Sequence, residues 1–145
     1  MPIKTFRGKL ADGAIDKISL HTNNGTTGYR IKKFQAMTGD AVGGMESASL
    51  VAIYKTVQTT ASNEVDFSDQ TLLAAIDYRQ HTNEGYGITG ANIIFDQEVF
   101  NQDIYITHKD SNTGASMNYY IELEQVTLRL DENTVATLKD IRNLS

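Results

Sequence analysis

The sequence contains no cysteine, no tryptophan and only one proline, at position 2. The absence of cysteine excludes disulfides, thiolate nucleophiles and thiolate metal sites, and it fits a protein that is assembled in a reducing compartment. No apolar run approaches the ~20 residues of a membrane-spanning helix, and the first residues lack the apolar core of a signal peptide. We therefore expect a soluble protein without a membrane segment or a secretion signal.

Positive charge is scarce as well. The chain has 13 Lys and Arg residues against 18 Asp and Glu residues, which gives a net charge of -5, and its only cluster of cations is the pair Lys32 and Lys33. Proteins that bind DNA or RNA gain much of their affinity by neutralising phosphates. The charge balance therefore predicts no direct contact with nucleic acid.

Alternating apolar and polar residues fill most of the chain, and clusters of Gly, Asn, Asp and Ser separate the alternating runs. This pattern is typical of β-strands that bury one face. It predicts eight strands, at about residues 3–10, 15–21, 28–37, 48–57, 71–79, 91–96, 102–109 and 118–130. Because 145 residues suit one domain, we expect residues 1–145 to form a single all-β domain, an eight-stranded antiparallel sandwich of jelly-roll type.

The period of two residues also predicts which side chains face the core. The expected core residues are Leu72, Ile76, Ile104, Ile106, Ile121, Leu123 and one of Tyr119 and Tyr120. The last two strands are joined by a polar loop at residues 110–114, and together they have the pattern of a β-hairpin.

Two of the predicted strands contain a one-residue slip in their apolar phase. In the third strand, Tyr29 and Ile31 are out of phase with Phe34, and in the eighth strand the slip falls near Glu124 and Gln125. A β-bulge adds one residue and keeps the apolar side chains on one face. The sequence predicts a bulge at both places, unless the two halves of a strand pack against different layers.

The C-terminal residues break the strand pattern. Val135, Leu138 and Ile141 recur at every third position, and Asp131 or Asn133 is suited to cap a first helical turn. We predict a short helix at about residues 132–142. A ninth strand or an irregular tail is the alternative.

The best match to a known motif is formed by Gly85, Gly87 and Gly90, which fit the pattern G-x-G-x-x-G. In a dinucleotide site this pattern follows a strand and opens a helix whose first turn meets the pyrophosphate. Here a β-rich segment follows the glycines. We therefore interpret them as part of a loop between strands and expect no cofactor.

Catalytic and metal motifs are missing too. The three histidines lack metal-ligand spacing, and the phase of its strand predicts His108 as an inward, hydrogen-bonded imidazole. Glu122 and Glu124 share one strand face at about 7 Å, a spacing that a glycosidase pair can use. Such pairs are common on solvated faces, and an acid and a base need different environments. We expect a protein without enzymatic activity and without a metal.

Exposed tyrosines are the best candidates for contacts with a partner. Tyr54 and Tyr105 fall on phases that predict an outward orientation, and an outward Tyr can anchor an interface. Singly exposed tyrosines are also ordinary on protein surfaces. The loop that contains Gly85, Tyr86 and Gly87 is the second candidate, because glycine-rich loops can order on contact.

Four stretches of the chain resemble small structural proteins of tailed bacteriophages from marine environments, and the resemblance runs the whole length. They are "MPIKTFRGKLADGAIDKISLHTNNGTTGYRIKKFQ", "DFSDQTLL", "FDQEVFNQDIYITHKD" and "MNYYIELEQVTLRLDENTVATLKDIRN". The resemblance implies a β-rich unit, often a jelly roll, that is built into the virion as a head decoration, cement or accessory component. It implies no particular site residues.

The expected partners are therefore viral capsid or other virion proteins and further copies of this chain in a homo-oligomer. The expected location is the virion, after synthesis in the host cytoplasm. The alternative is a carbohydrate- or receptor-binding jelly-roll module of a phage tail or fibre, because that fold also serves lectins. Lectin sites rely on exposed Trp or a calcium loop, which this sequence lacks.

Overall fold

The computed structural model describes residues 3–20, 26–38, 47–81, 88–111 and 116–128, where the regular secondary structure is β-strand alone. The strands are β1 Ile3–Leu10, β2 Ile15–Ile18, β3 Thr27–Thr38, β4 Ser47–Tyr54, β5 Leu72–His81, β6 Ile88–Phe95, β7 Ile104–Asp110 and β8 Met117–Thr127. Eight strands confirm the predicted all-β fold. The helix predicted at residues 132–142 lies outside the described residues.

The strands form two antiparallel sheets, one with the order β1-β8-β3 and one with the order β2-β7-β4-β5-β6. The chain changes sheet after β1, β2, β3 and β7, whereas β4, β5 and β6 follow one another within the larger sheet. This path gives a jelly-roll-like sandwich, as predicted.

The predicted hairpin of the last two strands is wrong. β7 pairs with β2 and β4, whereas β8 pairs with β1 and β3 in the other sheet. The connection between β7 and β8 therefore joins the two sheets. Alternation gives each strand one apolar face, but it carries no information about whether the next strand lies in the same sheet.

The core lies between the two sheets and contains most of the predicted residues. Ile76, Ile104, Ile106, Ile121 and Leu123 are fully buried, and Tyr119 is the tyrosine that faces inward. The prediction is wrong for Leu72, which is half-buried, while Leu73 is buried in the core. The cause is a shift in the pairing of β4 and β5, where Ile53 faces Ala74 but Tyr54 faces Leu72.

The slip in β3 is a bulge, as predicted. The pairing of β3 with β8 shifts between Ile31 and Lys33, so that Lys32 is the additional residue. Because of this bulge, Ile31 and Phe34 both lie in the core, each about 1% exposed. The bulge therefore keeps the apolar side chains of β3 on the inner face.

The slip in β8 is explained by the second possibility, that the apolar side chains before and after it pack against different layers. The pairing of β8 with β3 runs without a shift through Glu124 and Gln125, so the bulge expected there is not formed. Leu128 is instead buried on the face opposite Leu123, where it lies with Val99 over Gly28. Leu123 in β8 and Leu128 just after its end thus pack against different layers.

The two sheets are linked by a tyrosine that lies across a glycine. Gly8 pairs with Tyr119, and a Cβ atom at Gly8 would lie 2.8–2.9 Å from three atoms of the Tyr119 side chain. The Tyr119 hydroxyl donates a hydrogen bond to Asp16 Oδ2 in β2 at 2.9 Å. Burial and this hydrogen bond raise the pKa of Tyr119, so the hydroxyl stays protonated.

Candidate functional site

The most reactive combination of side chains in the described residues is a Ser–His–Asp cluster between the sheets. The imidazole of His108 has Nε2 at 3.2 Å from Ser49 Oγ and Nδ1 at 3.2 Å from the carbonyl oxygens of Leu10 and Ala11. Two carbonyl acceptors place a proton on Nδ1, while Nε2 shares a hydrogen bond with the Ser49 hydroxyl. The hydrogen-bonded, inward position predicted for His108 is confirmed.

This cluster has the residues of a hydrolase triad but neither its geometry nor its access. In a triad the carboxylate holds the imidazole N–H, whereas here Asp110 lies 3.4 Å from Ser49 Oγ and accepts the Ala48 N–H at 3.0 Å. His108 is fully buried, and Ser49 and Asp110 are 2% and 4% exposed. A substrate cannot approach the hydroxyl, so we interpret the cluster as polar groups that satisfy one another in the core.

The exposed surface offers a different feature, which is a concentration of positive charge on the three-stranded sheet. β1, β3 and β8 carry six cations and two carboxylates, a balance of +4 within a chain whose net charge is -5. The cations are Lys4, Arg7, Lys9, Arg30, Lys32 and Lys33. The rest of the chain is correspondingly acidic, with a charge balance of -9 once the +4 of these strands is taken from the net charge of -5.

Part of this charge is neutralised within the sheet. Glu124 lies 2.6 Å from the Arg30 guanidinium and 3.4 Å from Lys32 Nζ. The hydrogen bond from Arg30 lowers the pKa of Glu124, aided by the one from Lys32, so the carboxylate is charged at neutral pH. Glu124 is thus held by two cations and is unsuited to act as the acid of a glycosidase pair with Glu122.

Arg7, Lys9 and Lys33 differ from the cations beside Glu124. All three are exposed, and none of them forms an ion pair with a carboxylate in the part of the chain that the structure describes. Lys33 Nζ lies 5.8 Å from the centre of the Tyr120 ring, a cation–π contact. Their charge is therefore directed at solvent or at a partner.

These cations border an open groove with a volume of about 980 Å³. We call its outward-facing lining the basic face, which consists of Arg7, Lys9, Lys33, Gln35, Met37, Asn118 and Tyr120. Met37 is 63% exposed, so the groove also presents apolar surface. The Tyr120 hydroxyl donates to Glu122 Oε2 at 2.9 Å, which raises the pKa of Tyr120 and keeps it neutral. The groove can hold an anionic group beside an apolar one.

The two predicted interface tyrosines lie elsewhere, on the outer face of the five-stranded sheet. Tyr54 pairs with Tyr105 across β4 and β7, so they are neighbours. Tyr105 is partly exposed, but the exposure predicted for Tyr54 is wrong, because Tyr54 is only 8% exposed. Burial raises the pKa of Tyr54, and the charges of Asp69 and Asp66 add to that effect. Asp66 and Asp69, in the segment between β4 and β5, are therefore close enough for their charges to affect the Tyr54 hydroxyl.

The third predicted contact, the loop with Gly85, Tyr86 and Gly87, lies outside the described residues. Among the residues that are described, no three His, Asp or Glu side chains converge as metal ligands would. No helix long and apolar enough to cross a bilayer occurs in those same ranges.

Comparisons with known proteins identified no relative of this chain. No protein family model, no curated protein and no solved structure matches the chain.

The basic face was missed by sequence reasoning because net charge averages over the chain. One signal was present in β1, where Arg7 and Lys9 alternate with buried or small residues. The other cations come from β3, which is distant from β1 in sequence. The two strands contribute to one surface only because each of them pairs with β8. The prediction that nucleic acid is not contacted rested on the same average and stays a prediction.

Proposed function

We propose that this protein acts by binding, without catalysis, as a repeated structural subunit of a tailed-bacteriophage particle. Its partners would be the capsid or another virion protein and further copies of itself, and the basic face would meet an acidic protein surface. The observation that carries the proposal is the separation of charge, with a balance of +4 on three strands of a chain of net charge -5. The whole-length resemblance to phage structural proteins supplies the context.

The physics of such a contact suits a subunit that is present in many copies. An exposed ion pair contributes about 0.2–1 kcal/mol, and salt screens it. Arg7, Lys9 and Lys33 are exposed, so each contact alone would be weak. A lattice offers many contacts at once, and multivalency turns modest contacts into stable attachment. Charge complementarity also fixes the orientation of the subunit on its partner.

The experiment compares two double charge reversals with the same change in net charge. Arg7→Glu with Lys9→Glu reverses the basic face, and Lys17→Glu with Arg79→Glu reverses exposed cations of the five-stranded sheet. Occupancy on purified particles at about 0.15 M salt should fall for the first variant and persist for the second. Equal occupancy of both, with both folded, would remove the basic face from the proposal.

A carbohydrate- or receptor-binding module is the second candidate, and the composition of the groove favours it. The Tyr120 ring lies in the groove with the side-chain amides of Gln35 and Asn118. An aromatic surface beside a few polar groups is typical of small-ligand sites. If this candidate is right, glycan binding by calorimetry should be lost in Tyr120→Ala and retained in Arg7→Glu with Lys9→Glu. If the protein is instead a structural subunit, attachment to particles should be lost in Arg7→Glu with Lys9→Glu and retained in Tyr120→Ala.

A further inference from the structure

A second exposed feature lies between β4 and β5, where two aspartates fix a protruding turn. Asp66 Oδ1 accepts hydrogen bonds from the N–H and the hydroxyl of Ser68, at 2.9 and 2.5 Å. Asp69 Oδ1 accepts the N–H and the hydroxyl of Thr71, at 2.9 and 2.7 Å. The two turns are joined by a hydrogen bond of 3.1 Å from the Asp69 N–H to the Asp66 carbonyl. The segment is therefore ordered before it meets any partner.

The apex of this turn combines an aromatic ring with negative charge. We call residues 64–69 the acidic turn, because they contain Glu64, Asp66 and Asp69 and no cation. Phe67 is 69% exposed and Val65 is 37% exposed. Both hydrogen bonds from Ser68 lower the pKa of Asp66, which is therefore charged at neutral pH. An aromatic side chain held in water on an ordered turn is typical of a residue that anchors a contact.

The acidic turn and the basic face belong to different sheets, because the turn connects β4 to β5 whereas the basic face is formed by β1, β3 and β8. The charges of Asp66 and Asp69 raise the pKa of Tyr54, a residue on the outer face of the five-stranded sheet. The basic face is the outer face of the three-stranded sheet. The two surfaces are separate within one molecule, and their opposite charges and exposed apolar side chains suit a contact between two molecules.

We infer that the acidic turn of one copy binds in the groove of the basic face of a second copy. Phe67 packs against the exposed Met37 and the Tyr120 ring, and the carboxylates flanking Phe67 meet the three cations. The inference rests on the proposed function, since it names the protein's own copies as the acidic partner. A contact between two different surfaces of one chain repeats from copy to copy and gives rings or open chains. A single small turn buries little area, so we expect weak, salt-sensitive association.

The test is sedimentation of the full chain over a range of protein and salt concentrations. The unaltered protein should associate at low salt and dissociate as salt rises. Phe67→Ser should weaken association about tenfold or more, and so should Arg7→Glu with Lys33→Glu. The matched control is Val57→Ser, because Val57 is 63% exposed in the same segment but outside the acidic turn. This control should associate as the unaltered protein does.

Mixing the two impaired variants gives the sharpest result. Phe67→Ser retains an intact groove, and the charge-reversed variant retains an intact acidic turn, so the mixture should form dimers that neither variant forms alone. A mixture that stays monomeric overturns the inference, as does an unaltered protein that stays monomeric at the highest concentration. If Phe67→Ser is monomeric yet loads onto particles normally, the proposed function stands with a shell protein as the partner. Association without particle binding removes the proposed function and leaves this inference.

Discussion

The two sheets of the sandwich differ in what their outer faces present. In the five-stranded sheet, the outer residues of β4 are buried, with Leu50 5% and Ala52 1% exposed. In the three-stranded sheet, the outer residues Arg7, Lys9 and Lys33 are exposed. Because β4 is buried on both faces, we expect changes in the larger sheet to cost more stability than changes on the exposed outer face of the smaller sheet. Changes on the two sheets should therefore affect different measurements.

The largest effect on stability should come from the core of the five-stranded sheet. Ile106 in β7 is fully buried, and Ile106→Ala should lower the free energy of unfolding by about 2–5 kcal/mol, because it leaves a cavity. Lys109→Ala, in the same strand but partly exposed, should be nearly silent. Denaturant unfolding measures both, and equal losses would show that the inner and outer faces of β7 have been confused.

The next largest loss of stability should come from the Ser–His–Asp cluster, whose side chains satisfy polar groups in the core. His108→Leu removes the hydrogen bonds to Leu10, Ala11 and Ser49 from a fully buried site, and it should cost about 1–3 kcal/mol for each group left without a partner. His108→Gln retains a donor and should cost less. If both variants lose the same free energy of unfolding, packing and not hydrogen bonding explains the cost.

The inner face of the three-stranded sheet should be sensitive at Gly8. A Cβ atom there would lie 2.8–2.9 Å from the Tyr119 side chain, so the ring must move and its bond to Asp16 is disturbed. Gly8→Ala should cost about 1–3 kcal/mol, as overpacking does. The neighbouring Arg7→Ala, on the outer face, is the control. A melt of Gly8→Ala that coincides with that of Arg7→Ala would mean that the ring relaxes without cost.

Charge on the smaller sheet should contribute to stability in a way that depends on pH. The folded pKa of Glu124 is below its ordinary value of 4.5, so its stabilising effect is present above that value and is lost as pH falls through the folded pKa. The unaltered protein should therefore be more stable than Glu124→Gln at pH 7, and the difference should shrink on acidification below 4.5. A difference that is constant with pH would assign the effect to something other than ionisation.

Particular residues show how much of the fold and of the candidate site could be predicted from the sequence. The strands and most of the core were predicted, because the contrast between Ile104 or Ile106 and their polar neighbours is strong. Tyr54 was placed correctly on the face opposite Ile53, but its 8% exposure reflects non-local packing that no local pattern gives. The pairing of β7 and β8 with other strands, and the basic face that β1 and β3 form around β8, are non-local in the same sense.

The smallest effect on stability should come from the cations that carry the proposed function. Arg7 and Lys33 are exposed, so Arg7→Ala and Lys33→Ala should each change the free energy of unfolding by less than about 0.5 kcal/mol. Because Arg7 and Lys33 both lie beside Tyr120, the double variant measures any coupling between them through that ring. Urea unfolding of both single variants and of the double variant measures this. If the double variant loses several kcal/mol, the cations hold the sheet together, and the separation between a stabilising sheet and a binding sheet fails. If stability is unchanged while attachment to particles or to other copies weakens, the two roles lie on different sheets.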